Sequence, residues 1–466
     1  MRSSRQEDRL TRAAPWGWAL LLGVAYTALS VSNYLRYEIR SWDLGIFTQT
    51  IAGYARLDTP VVDLKGVGLN VLGDHFSPLL AVLAPFYRLW PTPVTLLVAQ
   101  AVLLAFSAAV VTSAAIRHLG RAAGLSVGFA YGISYGLQTG VDAEFHELAL
   151  AVPLLALSGA AYLDRDWKRC ALWAMPLMLV KEDLGLTVAA LGVALWLSGS
   201  RRWGVPVLLI GLIGFMLTVG AIIPLLNPDG VYVYWNRFFS GSGGLLDAVA
   251  GLATSAVVPP IKIETLLLTI AITGGLALRS PFVVLAVPNL AERFLGSVSF
   301  YWGLDWHYSL PLMPVLFIAL IDAAVRVRTS RPDWLSSYAV HVPAVAVAVA
   351  LVLTVARPLP LRSLVEPQSW QASPRAQAAE QALAAVPPGA SVETDLGLLN
   401  HLVADRDVYW IGDADPVVPD YLVLDRTTGT GEAGISADRY AERLHPGTDY
   451  KLALSSAGYQ VARRVR

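Results

Sequence analysis

From Pro93 to Ile116 the chain carries no charged side chain. That run, PVTLLVAQAVLLAFSAAVVTSAAI, exceeds the roughly 20 apolar residues that cross a bilayer as one helix. Peptide groups in hydrocarbon find no water, so a spanning segment must satisfy its own hydrogen bonds as a helix. Further apolar runs cover 15–34, 122–139, 147–163, 169–181, 184–198, 203–226, 263–278, 281–298, 307–327 and 337–357, making eleven candidate spans with 93–117. Several are short, so tilting, breaking or merging is expected among them. Of the 466 residues, 55% are hydrophobic and 15% charged, where soluble domains average about 25% charged. The expected fold is an all-α polytopic membrane protein with a smaller polar part.

The formal net charge is zero, which argues against nucleic acid as a partner. The single cysteine, Cys170, excludes an intramolecular disulfide. The start MRSSRQEDRLTR is polar, and the apolar stretch Trp16 to Val31 lacks a small-x-small cleavage site, so it reads as a retained first helix. Basic residues orient the chain. With Arg2, Arg5, Arg9 and Arg12 in the cytoplasm, the inner loops hold Arg117 and Arg121; Arg165, Lys168 and Arg169; Arg201 and Arg202; Arg279; and Arg326, Arg328 and Arg331. Eleven spans then leave the C-terminus outside a cytoplasmic membrane.

Three long segments fall on the outer side: 35–92, 227–262 and the tail after Pro358. In the first, 44–57 and 76–90 suit helices lying at the membrane interface, with Phe86, Tyr87 and Trp90 at headgroup level. The division expected is 1–357 for the transmembrane domain and 358–466 for a linker and a small extracytoplasmic α/β domain. The tail pattern predicts helices near 373–386 and 396–403, with strands near 390–394, 407–410 and 421–424.

Ionisable residues near hydrocarbon point to function by default. Outside the basic loops and the tail they gather at outer helix ends: Asp43; Asp74 and His75 in LGDHFSP; Asp142, Glu144, His146 and Glu147 in DAEFHEL; Lys181, Glu182 and Asp183 in LVKEDLGL; and Asp305, His307 and Tyr308 in WGLDWHYSLP. One topology brings them all to the same side, where they could line one outward-facing cavity. Each has a plainer alternative. Asp43 is a good N-cap for the next helix. Asp74 and His75 could form a local turn with Gly73. Glu144 and Glu147 either hold a divalent cation or hydrate a helix start. Lys181 either meets a phosphate or neutralises Glu182 or Asp183. His307 and Tyr308 could be an interface anchor pair. Walker-type, His-Glu-x-x-His and Cys-x-x-Cys motifs are missing, and GSGG at 241–244 reads as a flexible loop.

Four stretches carry a resemblance: WDLGIFTQ, GDHFSPLLAVLAPFYRLWPTPVTLLVAQA, EFHELALAVPLL and LVKEDLGL. They look like a family of predicted bacterial and archaeal membrane proteins of unassigned function, usually grouped with GT-C glycosyltransferases. The likeness spans roughly 15–330. It implies transfer of a sugar from a polyprenyl-phosphate donor to an extracytoplasmic glycan, lipid or protein. In the GT-C class the acidic residue of the first outer loop is the catalytic base or orients the acceptor; that role maps onto Asp43, with Asp74 second. His75, Glu144, His146, Lys181, Glu182, Asp183, His307 and Tyr308 are then candidates for substrate contacts. A divalent cation (Mg, Mn or Ca) on Glu144 and Glu147 is the one cofactor considered. The tail would bind acceptor or cover the site. A secondary transporter with an outward-facing polar cavity is the alternative, and a non-catalytic scaffold acting through its tail is a third reading.

Overall fold

The computed structural model describes residues 2–234, 258–328, 333–427 and 434–465, with side chains from 11 onward. The GSGG stretch at 241–244 and Arg331 lie outside them. Helices occupy most of the described chain up to Ala356. Five are long and apolar enough to cross a membrane: Thr11–Leu35, Pro93–Leu119, Arg201–Leu226, His307–Val327 and Asp333–Ala356. Pro78–Leu89, Leu148–Leu163 and Leu184–Leu197 are shorter apolar helices.

Four runs read as single spans are interrupted. The run 122–139 is two helices, Arg121–Gly132 and Tyr135–Asp142. In 169–181, helix Trp167–Ala174 tightens to a 3-10 turn, Met175–Leu179, where Pro176 cannot supply an amide donor. Helix Pro260–Ala271 stops within 263–278, and 281–298 begins as a 3-10 turn before helix Ala286–Leu295. The eleven apolar runs are thus not eleven continuous crossing helices.

Small residues set a tight helix contact between Leu184–Leu197 and Arg201–Leu217. A Cβ at Gly192 would stand 2.2 Å from the Leu208 amide nitrogen, and one at Gly211 2.4 Å from that of Ala189. Backbones approach this closely only where no side chain intervenes. Gly211→Val should lower stability by ~1–3 kcal/mol. Thermal unfolding in detergent would register it as a lower midpoint, and an unchanged midpoint would refute the contact.

The basic loop residues converge at one end of the bundle. Arg117 and His118 meet Asp164 at 3.2 and 2.9 Å, and Arg328 donates to the Leu119 carbonyl at 3.3 Å. The opposite half of helix Pro93–Leu119 meets the acidic segments. There Gln100 donates to the Gly140 and Glu144 carbonyls and accepts from the His146 amide.

The first outer segment differs from its expected form in two ways. Helix Asp43–Ala55 is largely buried rather than spread on a surface. In Pro78–Leu89, Phe86 and the adjacent Trp90 are exposed, but Tyr87 is 5% exposed and belongs to the core.

The tail forms a five-stranded sheet in the order β2-β1-β3-β5-β4, with β1 Ser391–Thr394, β2 Asp407–Trp410, β3 Tyr421–Asp425, β4 Tyr450–Ser456 and β5 Tyr459–Arg464. Strand β1 runs parallel to β2 and β3; β5 runs antiparallel to β3 and β4. The two predicted helices are Ala376–Ala384 and Leu399–Leu402; helix Ala437–Leu444 and the β4–β5 hairpin were not anticipated. Val392, Leu399, Val408 and Val461 of the tail share one apolar core with Ile46, Val62, Leu64 and Val71 of the first outer segment.

Candidate active site

Asp43 is the first residue inside its helix, and Trp42 holds the N-cap position. The plainer alternative, Asp43 as N-cap, is not what the fold shows: the Ser41 hydroxyl oxygen accepts the Asp43 amide at 3.2 Å. A carboxylate in a first helical turn gains from the helix field. Burial outweighs that gain and lifts the Asp43 pKa to about 6, against a lowering bond from Ser41.

Asp43 Oδ2 lies 3.8 Å from His307 Nδ1. The His307 ring stacks on His146, with centroids 3.4 Å apart and planes 19° from parallel. His146 Nδ1 sits 3.0 Å from Glu147 Oε2 and also accepts the Leu148 amide. Burial holds the His146 pKa well below the ordinary histidine value, so this imidazole is neutral at pH 7.

A second arm comes from the first outer segment. Lys65 and Asp74 form an ion pair, and the Tyr234 hydroxyl donates to Asp74 at 3.0 Å. Burial disfavours the Asp74 charge, but His75, Lys65 and Tyr234 more than offset it and hold the pKa below the ordinary value. Lys65 Nζ also stands 5.9 Å from the Trp42 ring centroid. His75 Nδ1 meets Glu182 Oε1 at 2.7 Å, while the Phe76 amide and the Tyr232 hydroxyl donate to the same carboxylate. Lys181 lies 3.9 Å from Asp183.

These groups share one cavity of about 360 Å³. Of the residues singled out from sequence, Asp43, Asp74, His75, His146, Glu147, Lys181, Glu182, His307 and Tyr308 line it. Glu144 and Asp183 do not. Glu144 turns away and accepts from Asn400 of the tail; Asp183 stays beside Lys181 behind the wall. Asp142 and Asp305 line a separate polar cavity, where Asp142 pairs with Arg40 at 2.8 Å.

The cation pair considered from sequence, Glu144 and Glu147, is accordingly not the set the fold assembles. Asp43, His146 and His307 bring ligand atoms within 4.8 Å of one another. Among the described residues, buried His307 Nδ1 has no hydrogen-bond partner. Two imidazoles and one carboxylate suit Mn or Zn better than Mg or Ca.

A family model described as "Predicted membrane protein (DUF2079)" matches residues 37–453. The chain belongs to the DUF2079 family. Among solved structures, this DUF2079 protein is similar to ArnT from Cupriavidus metallidurans bound to undecaprenyl phosphate, at 16% identity and TM-score 0.52, covering 96% of this chain and 98% of that one. The apo form of the same ArnT matches over the same shares with TM-score 0.50. Identity this low shows a common fold. A search of curated proteins finds no match.

Several lining residues of the DUF2079 protein escaped the sequence reading: Trp42, Lys65, Tyr232, Tyr234 and Glu292. Glu292 carried a usable signal, a carboxylate inside the apolar run 281–298. Lys65 carried none, since a lone lysine in a polar loop looks like any solvated one.

Proposed function

We propose that this protein is a membrane-embedded glycosyltransferase that takes a sugar from a polyprenyl-phosphate donor. The observation that carries the proposal is the convergence of Asp43, His307, Lys65 and Lys181 on one cavity within an ArnT-like fold. That ArnT was crystallised with undecaprenyl phosphate supports a lipid phosphate as donor carrier. The reading also places the protein in the cytoplasmic membrane, with its N-terminus inside and its tail and cavity outside.

In this reading an acceptor hydroxyl lies within hydrogen-bond reach of Asp43, which takes its proton. The acceptor oxygen bonds to the anomeric carbon as the bond from that carbon to the phosphate oxygen breaks. The polyprenyl phosphate leaves with the electron pair, and a single displacement inverts the anomeric centre. Asp74 serves to fix Lys65 rather than to take the proton. Lys65 and Lys181 face the leaving phosphate, and charge-assisted bonds of this kind are the strong ones. A phosphate here meets the carboxyl groups of Asp43, Asp74, Glu147, Glu182 and Glu292 against those two ammonium groups. Where a divalent cation is used, Asp43, His146 and His307 would hold it, and it would supply the missing positive charge.

The deciding experiment offers the purified protein in nanodiscs a panel of undecaprenyl-phosphate-linked sugars with membrane extract as acceptor. Release of undecaprenyl phosphate together with a glycosylated product supports the reading; release of neither from any donor defeats it. The secondary-transporter alternative predicts instead that proteoliposomes accumulate solute under an ion gradient. The pH dependence has a definite sign. Asp43 must be ionised to act as base, and burial places its pKa at about 6. The rate should therefore rise with pH through about 6 and level off above 7. A flat profile from pH 5 to 8 would exclude Asp43 as the titrating base.

A further inference from the structure

The tail touches the site through a short segment around Leu399–Leu402. The His401 ring stacks on Tyr34 at 4.1 Å and lies 4.5 Å from Tyr37, at the end of the first helix. Strand β2 holds the other flank: Trp410 packs edge-on against Trp42 at 5.1 Å, and the Val408 carbonyl accepts from Gln49 at 2.9 Å. Between them stands Asn400, which is fully buried. Its side-chain amide donates to both carboxyl oxygens of Glu144 at 3.0 Å and reaches the Ser41 carbonyl at 3.4 Å. All the acceptors lie on the nitrogen side, and among the described residues its oxygen has no hydrogen-bond partner, so the acceptors set its orientation.

Glu144 completes the link. It has a left-handed backbone, φ 68°, a conformation that non-glycine residues hold only under constraint. Asn400 thus bridges the Glu144 carboxyl group and the Ser41 carbonyl. The Ser41 hydroxyl oxygen in turn accepts the Asp43 amide at 3.2 Å. Fit is close here as well: a Cβ on Gly45, in the first turn after Asp43, would stand 2.3 Å from Leu399 Cδ2.

We propose that Asn400, anchored on Glu144, is a positioning residue for Asp43 acting through Ser41, so that the C-terminal domain completes the reaction centre rather than merely covering it. Glu144, read from sequence as a substrate or cation contact, is part of this brace. The proposal rests on Asp43 being the functional carboxylate, but its test needs no turnover.

Peptide-resolved hydrogen exchange of the full chain in nanodiscs reads how firmly residues 41–47 are held. In the unaltered protein that peptide should exchange slowly. Asn400→Ala should speed its exchange by about tenfold or more, because the anchor on the Ser41 carbonyl is lost. Ser41→Ala should act the same way, and the double variant should go no further. Glu144→Ala should follow them, while Glu144→Gln, which keeps an acceptor in place, should restore slow exchange. Leu402→Ala removes apolar volume from the tail core without touching Ser41 or Asp43. It should lower the unfolding temperature and leave exchange at 41–47 alone.

Unchanged exchange at 41–47 in Asn400→Ala with the tail folded, or an equal change in Leu402→Ala, overturns the proposal. If Asn400→Ala fails to accumulate, Ser41→Ala and Glu144→Ala carry the same test, since neither residue belongs to the tail. Where transfer is measured, Asn400→Ala should lower kcat by about tenfold with KM unchanged. Absence of any transfer in the unaltered protein would defeat the enzyme reading while leaving the exchange result intact.

Discussion

Asp43→Asn should lower the transfer rate by ~10²- to 10⁴-fold, the range a positioned proton acceptor supplies. The amide keeps the volume of the acid and the first-turn position, so the helix Asp43–Ala55 should persist. Its thermal midpoint should match or exceed that of the unaltered protein. A buried carboxylate is costly, and the burial that lifts this one's pKa marks that cost. The rate is read by release of undecaprenyl phosphate, and the fold by unfolding in detergent. An Asn variant that transfers sugar at the normal rate would remove Asp43 from the chemistry and leave Asp74 as the next candidate.

Lys181→Met should be the most damaging single change for folding. Lys181 is 13% exposed at its side chain and lies 3.9 Å from Asp183. Glu147, Glu182 and Glu292 line the same cavity. Removing one partner from a buried ionic cluster leaves the other charges uncompensated, at about 3–5 kcal/mol. The loss has a pH signature. Without the ammonium group the neighbouring carboxyl groups take up protons more readily, so the variant's deficit should be largest above pH 7 and shrink toward pH 5. Thermal midpoints at the two pH values check this. An equal deficit at both would mean that the lysine's stem, not its charge, does the stabilising. Lys65, held by Asp74 and the Tyr234 hydroxyl rather than by a group of carboxylates, should tolerate methionine better and lose mainly donor binding.

The membrane class was legible from apolar runs because each span must satisfy itself locally, so its signal is local. The convergence of Asp43, Asp74, His75, His146, Glu182 and His307 was legible for a related reason. Topology alone sends alternate helix ends to one side, and charged groups there are too expensive to be accidental. What escaped was contact across long separations. Nothing local distinguishes Glu144, which bonds Asn400, from Glu147, which lines the cavity, although they are three positions apart. Helix breaks in 122–139 and 263–278 were also obscured, since hydropathy records polarity and not backbone hydrogen bonding. The tail's first three strands were visible as short apolar segments. The β4–β5 hairpin was not: Tyr450–Ser456 is mostly exposed, and its apolar stretch, Leu452–Leu454, is only three residues long.

The brace between Ser41 and Asn400 joins residues 359 positions apart. Ribosomes make Asp43 early and Asn400 late. A partly synthesised polypeptide can therefore have every apolar helix inserted and still hold an unfinished reaction centre. On the proposed reading, competence would arrive only with the closing portion of translation.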